Sequence, residues 1–214
     1  MAAATAIAGI GVAAFNAGMQ LDDAYDKIAV GTGATGEVLD GLKADFAAVF
    51  KDVPVDAETV SGAITELNSR LGATGQPLQD MAKGLTLSAK LMGGDATANA
   101  AQLAKVMGSW GLSNEEGAAT LDKLFVATQK SGISLEQLTG SVQTYGPALR
   151  TMGFDLDESI ALMANFEKAG IESGQVMAGM KLAAGKFAKA GVDVKTGFLG
   201  AIDSIKNAKT STAA

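Results

Sequence analysis

Cysteine and histidine are both absent from the 214 residues. Without cysteine, no disulfide and no thiolate nucleophile is available. Without histidine, the commonest general base and the commonest metal ligand are missing. Ser-His-Asp triads, Cys-His pairs and His/Cys zinc sites are therefore excluded. Proline is scarce at 3 residues, and only Pro147 sits inside a strong helical pattern. Aromatics make up 5% of the chain, and alternating runs of β-branched residues are missing, so a sheet has little to be built from. Cations are outnumbered, 17 Lys and Arg against 23 Asp and Glu. The resulting net charge of −6 and pI near 4.7 argue against a nucleic-acid-binding domain.

What is present points to helices. Hydrophobic residues reach 48% with 27 Gly, so much of the apolar content is Ala, which suits closely packed helices. The length allows one domain or one and a half, with room for a core. Charge is unevenly spread: from Lys181 onward six Lys face only Asp193 and Asp203, which leaves that end net +4 and the rest net −10. The spacing of those Lys reads as a solvated helix face. Met1 to Leu21 carries no charge at all. It lacks the basic n-region of a secretory signal, and its Ala/Gly content with Asn16 and Gln20 gives a weak drive into lipid. The reading is a helix that packs on the core or on a partner, with membrane contact as the lesser alternative.

Helix punctuation is the clearest local signal. G-A-T-G-[EQ]-x-L occurs from Gly33 and again from Gly72, offset by 39 residues. In each copy a Gly can end one helix in left-handed geometry, and Thr35 or Thr74 is expected to cap the next. The first copy is no phosphate loop, because Glu37 stands where that loop needs Lys. Four further joints start at Gly111, Gly132, Gly153 and Gly170, spaced 21, 21 and 17 residues apart. Gly ends a helix, and Leu112, Ile133, Phe154 or Ile171 staples the turn. Capping boxes are predicted for Ser113 with Glu116, Ser134 with Gln137, and Asp155 with Glu158. At the fourth joint, Glu172 or Ser173 is the cap.

Between joints the apolar period is helical. One stripe is Val38, Leu42, Phe46, Val49 and Phe50; the next, opened by Asp56 after Pro54, is Val60, Ile64, Leu67 and Leu71. Leu78, Met81, Leu85 and Met92 follow, then Leu103, Val106 and Trp110 behind Asp95. The remaining stripes run through Leu121–Thr128, Leu138–Leu149, Ile160–Phe166, Val176–Phe187 and Phe198–Lys206. About ten helices result. The predicted fold is all-α, a compact multi-helix bundle of short antiparallel or crossed helices. The predicted divisions are an Ala/Gly-rich N-terminal helix (1–30), a helical core domain (31–190) and a short helical or flexible flank (191–214).

Candidate chemistry is thin. Carboxylate pairs suitable for glycosidic hydrolysis would be Glu115 with Glu116, or Asp155, Asp157 and Glu158. All lie in first helical turns, where acids cap N–H groups and oppose the macrodipole. Asp22, Asp23 and Asp26 lack the spacing of a calcium loop and fit a solvated face. Ser88 with Lys90, or Ser204 with Lys206, would have to form a Ser-Lys dyad, and neither has a supporting oxyanion motif. The nine Met and Trp110 read as core filler rather than a binding groove. No catalytic, cofactor-binding or metal-ligating residue is assigned, and no cofactor is expected.

The run LDDAYDKIAVGTGATGEVLDGLKADFAAVFKDVPVDAETVSGAITELNSRLGATGQPLQDMAKGL resembles the opening of the phage tail tape measure core domain. SWGLSNEEGAATLDKLFVATQKSGISLEQLTGSV and TYGPALRTMGFDLDESIALMANFEKAGIESGQVMAGMKLA are similar to its continuation. Together they cover roughly Leu21 to Ala190, and the resemblance rests on the ordered series rather than on one motif. It implies a non-enzymatic structural protein of long-tailed phages or prophage tails. Such proteins set tail length while tube subunits polymerise around them, and they leave the tube at genome ejection. The implied partners are other copies of the chain, tail tube proteins and tail assembly chaperones, with no sequence-specific nucleic acid. The implied location is the tube interior of the virion tail, and the host cytoplasm during assembly. A measuring rod is longer than this: all 214 residues as one helix would span only about 320 Å. Two other classes remain open, a membrane-active pore former built on the opening helix and a tail-associated cell-wall hydrolase.

Overall fold

Residues 19–211 are described in the computed structural model. They form ten α-helices and, among the described residues, no strand. In order these are α1 (residues 19–32), α2 (Gly36–Asp52), α3 (Ala57–Leu71), α4 (Gly75–Met92), α5 (Ala96–Trp110), α6 (Gly117–Ser131), α7 (Leu135–Thr151), α8 (Leu156–Lys168), α9 (Ser173–Lys189) and α10 (Val194–Ser211). A 3₁₀ turn, Asn114–Glu116, precedes α6. The all-α expectation holds. Most of the uncharged opening stretch lies outside the described residues. No described helix is long and apolar enough to cross a membrane.

The two G-A-T-G copies adopt one backbone conformation. Gly33 and Gly72 have φ of 68° and 63°, and Gly36 and Gly75 have 57° and 63°. The intervening Thr35 and Thr74 are extended, at φ −140° and −145°. Both glycines of each motif thus sit where an L side chain is disfavoured, which explains the paired spacing. The Thr side chains do not cap, contrary to expectation. Instead the Ala34 N–H donates to Thr32 Oγ1 (3.1 Å), and the Gly75 N–H donates to the buried Asp45 (2.8 Å).

The same offset of 39 recurs beyond the turn. Asp56 caps α3 by accepting from Thr59 N (2.7 Å), and Asp95 caps α5 by accepting from Ala98 N (2.9 Å). Gly72 and Gly111 then end those helices in the left-handed region. The α2–α3 hairpin is therefore repeated as α4–α5. Packing follows the repeat: α2 lies on α4, α3 on α5, and α3 also meets α4. Two layers of stacked hairpins result, the arrangement of helical repeat proteins.

α1 extends the α3–α5 layer. Its buried Ala24 and Ile28 stand 39 residues before the buried Ala63 and Leu67. Ser69 Oγ donates to the Gly31 carbonyl (3.0 Å), and a Cβ on Gly31 would lie 2.3 Å from Thr65 Cγ2. A Cβ on Gly62 of α3 would lie 2.2 Å from Thr97 Oγ1 of α5. These glycines set the close approach of α1, α3 and α5. The periodic stripes had not separated α1 from the opening segment, because its Asp22, Asp23 and Asp26 break the apolar pattern. Val38 and Met92, placed in core stripes by period, are 59% and 44% exposed, since each lies within three residues of its helix end.

The chain divides into two compact units after Asp122, within the segment read as one core domain. The first holds the stacked hairpins. In the second, α7 packs on α8, α8 on α9 and α9 on α10. Leu124, Leu138, Val142, Leu149 and Met163 are its most buried apolar side chains. Phe198 of α10 meets Phe187 edge-on at 5.3 Å and Phe154 at 6.2 Å, which anchors the helix that forms most of the predicted flank.

The predicted capping boxes differ in completeness. Asp155 and Glu158 form a reciprocal box, with both bonds at 2.9 Å. At the first joint, Ser113 and Glu116 also form a capping box, in which Glu116 accepts from Ser113 N at 2.8 Å. At the second, Ser134 Oγ accepts from Gln137 N (3.1 Å), but the Gln137 amide turns away to donate to Glu167. The fourth joint has Glu172 at the cap position without a side-chain bond to the helix backbone. Replacing Ser113, Ser134 or Asp155 by Ala is expected to cost about 0.5–2 kcal/mol each, with Asp155 the largest because its cap bond is made by a charged carboxylate. Urea midpoints check this, and unchanged midpoints in all three would place the joints wrongly.

Candidate functional site

The carboxylates singled out for chemistry are structural in their contacts. Asp157 pairs with Lys123 (2.7 Å), and Glu158 pairs with Lys195 (2.7 Å). The Lys195 ammonium and the Asp155 N–H hold the Glu158 carboxyl below the usual glutamate range. A general acid for glycosidic cleavage needs the opposite shift. Glu115 is exposed, and Glu116 accepts from Ser113 N. Asp22, Asp23 and Asp26 are all exposed on α1. Among the described residues, no group of three or more acids is arranged to hold a metal.

The serine–lysine pairs are not brought together either. Ser88 Oγ donates to the carbonyls of Gly84 and Leu85 in its own helix, while Lys90 Nζ donates to the Pro54 carbonyl. Ser204 Oγ donates to the Gly200 carbonyl (2.9 Å), and the Lys206 side chain lies outside the described residues. Of the eight Met among the described residues, six are buried: Met81, Met107, Met152, Met163, Met177 and Met180. Core packing is their role.

A cleft of about 660 Å³ lies at the tips of the two hairpins in the first unit. It is lined by the starts of α3 and α5, including Asp56 and Asp95, with Lys27 and Lys90 at its sides. Its charged groups are already engaged. Asp56 and Asp95 cap helices, Lys27 lies 3.6 Å from Glu58, and Lys90 holds Pro54. The Asp56 carboxyl is held below its usual range by the Thr59 N–H. This cleft ties one hairpin to the next and presents no reactive group.

Two polar nodes carry long-range information that the sequence reading missed. Asp45 on α2 is buried and accepts from both Gly75 N (2.8 Å) and Gln79 Nε2 (2.7 Å), joining the repeats. Glu167 at the end of α8 accepts from Gln137 Nε2 (2.7 Å), Ser141 Oγ (2.8 Å) and Ser173 Oγ (2.8 Å), which locks α7, α8 and α9 together. Burial pushes the Glu167 carboxyl up, yet the bonds from Ser173, Ser141 and Gln137 together outweigh it and hold the group below its usual range. Partners 26 to 34 residues away leave no local signal in the sequence.

Residues 43–213 match the family of phage-related minor tail proteins. The chain belongs to that family. No curated protein and no solved structure matches. As a phage-related minor tail protein it has a structural role in the phage tail. The ion pairs of Asp157 and Glu158 fit this assignment, since they join α8 to α6 and to α10.

Proposed function

We propose that this minor tail protein is of the tape measure type: it lies inside the tail tube, takes part in tail assembly and length determination, and leaves at genome ejection. The tandem 39-residue hairpin is the observation that carries this reading. Each hairpin packs mainly on its neighbour, so the fold grows along one axis and tolerates addition or loss of a unit. The resemblance over Leu21 to Ala190 supports the same assignment, as does the Ala/Gly-rich, His- and Cys-free composition of a chain without catalytic equipment. Tail tube subunits and assembly chaperones are the proposed partners, met in the host cytoplasm before the tube closes. Protease protection tests the location. In filled particles the chain should resist protease added outside, and it should be depleted from tails after ejection. Cleavage in intact particles at the rate of surface proteins would contradict it.

A further inference from the structure

Helices α1 and α9 carry opposite net charge, and each has an exposed outward face. On α1, Met19, Asp22, Asp23, Asp26 and Val30 fall on the side opposite the buried Ala24 and Ile28. Met19 is 51% and Val30 86% exposed, and the three Asp are exposed with them. The one Lys of this helix, Lys27, lies to the side and is engaged by Glu58. On α9, Ala178, Leu182, Gly185 and Lys189 recur at helical spacing opposite the buried Met177 and Met180. Leu182 is 74% exposed, with Lys181, Lys186 and Lys189 exposed around it. α9 contains no Asp or Glu. A Cβ at Gly179 or Gly185 would meet nothing within 4 Å, so a second helix can approach closely there.

We infer that the α1 face of one copy docks against the α9 face of a second copy. Both faces have the same design, an apolar side chain set among charges of a single sign, and the signs are opposite. Opposed charges fix the register and speed encounter, while Val30 and Leu182 supply the apolar contact. The contact is heterologous: the surface used on one copy differs from that used on the next, so each copy carries both halves of it. A single helix pair buries less than a standard stable interface, so the contact is weak and becomes populated where copies are concentrated. The inference stands on these two faces and does not depend on the tape measure reading.

Charge exchange tests it. Sedimentation velocity of the full chain between about 10 and 500 µM should show average mass rising with concentration. The rise should fall at least about tenfold in association constant between about 50 and 500 mM salt. Two triple variants are needed: Asp22→Lys/Asp23→Lys/Asp26→Lys and Lys181→Glu/Lys186→Glu/Lys189→Glu. Each alone should stay monomeric with unchanged helical content, since the substituted side chains are exposed. Mixed together they should associate again, because the reversed α1 face of one then meets the reversed α9 face of the other. A wild-type chain that stays monomeric throughout would overturn the inference. So would variants that associate as wild type does, which would place self-association elsewhere, for example in residues 1–18. Retention of duplex DNA by the α9 face with no association between copies would overturn it as well.

Discussion

Phe46→Ala should destabilise the first unit by about 3–5 kcal/mol, the largest single effect expected for a substitution in this chain. Phe46 is fully buried on α2, and its ring meets Tyr25 of α1 edge-on and Phe50 face-on, both at 5.5 Å. Truncation loses the transfer free energy of the ring, leaves a cavity and removes both aromatic contacts. α1 is then held mainly by its approach to α3 through Gly31 and Ser69. The single Trp, Trp110, lies at the end of α5 in the same unit and reports its unfolding by fluorescence. Phe46→Leu should recover more than half of the loss. A Phe46→Ala midpoint within about 0.5 kcal/mol of wild type would mean that α1 and α2 do not pack as described.

Glu167→Ala should cost the second unit about 2–3 kcal/mol, because it removes the acceptor for Gln137, Ser141 and the buried Ser173 at once. Glu167→Gln keeps an acceptor oxygen and should cost roughly half as much. The effect depends on pH in a definite direction. A carboxyl held below its ordinary value contributes stability that is fully present above the unfolded value of about 4.3. That stability is lost as pH falls through the lower folded value. Below that range, wild type and Glu167→Ala should therefore converge. Urea unfolding followed by circular dichroism, with hydrogen exchange in α7 to α9, measures both the size and the acid dependence. A gap that widens on acidification would show that the charged carboxylate is not what binds the three donors.

The parts of this fold legible in the sequence are those decided within about four residues. Asp56, Asp95, Ser134 and Asp155 cap where expected because a cap joins a side chain to a backbone N–H three positions on. Left-handed glycines at 72, 111, 132, 153 and 170 end or separate helices for the same local reason. Thr35 and Thr74 show the limit of such reasoning. Their type and position suit a cap, yet the positive φ of the following glycine redirects the turn, and Asp45 from 30 residues earlier takes the Gly75 N–H. Gln137 fits a capping box by spacing and is drawn off by Glu167, 30 residues on. Val38 and Met92 obey the apolar period but lie near helix ends, where no neighbouring helix covers them. The division after Asp122 was illegible because the apolar pattern of α6 runs unbroken across it. The G-A-T-G turn of the repeat is legible in the sequence, whereas the whole hairpin shows only in the packing of α2 on α4 and α3 on α5.

Tail length in the phage or prophage that encodes this chain is the most direct test of the tape measure assignment. In-frame deletion of residues 36–74 removes one 39-residue period and leaves the same G-A-T-G backbone turn at the new junction. If the chain measures the tube as extended helix, mean tail length in electron micrographs should fall by about 60 Å, at a rise of about 1.5 Å per residue. Duplication of the same period should lengthen tails by a like amount. Tails of unchanged length in both strains, with the altered chain still incorporated, would contradict the assignment.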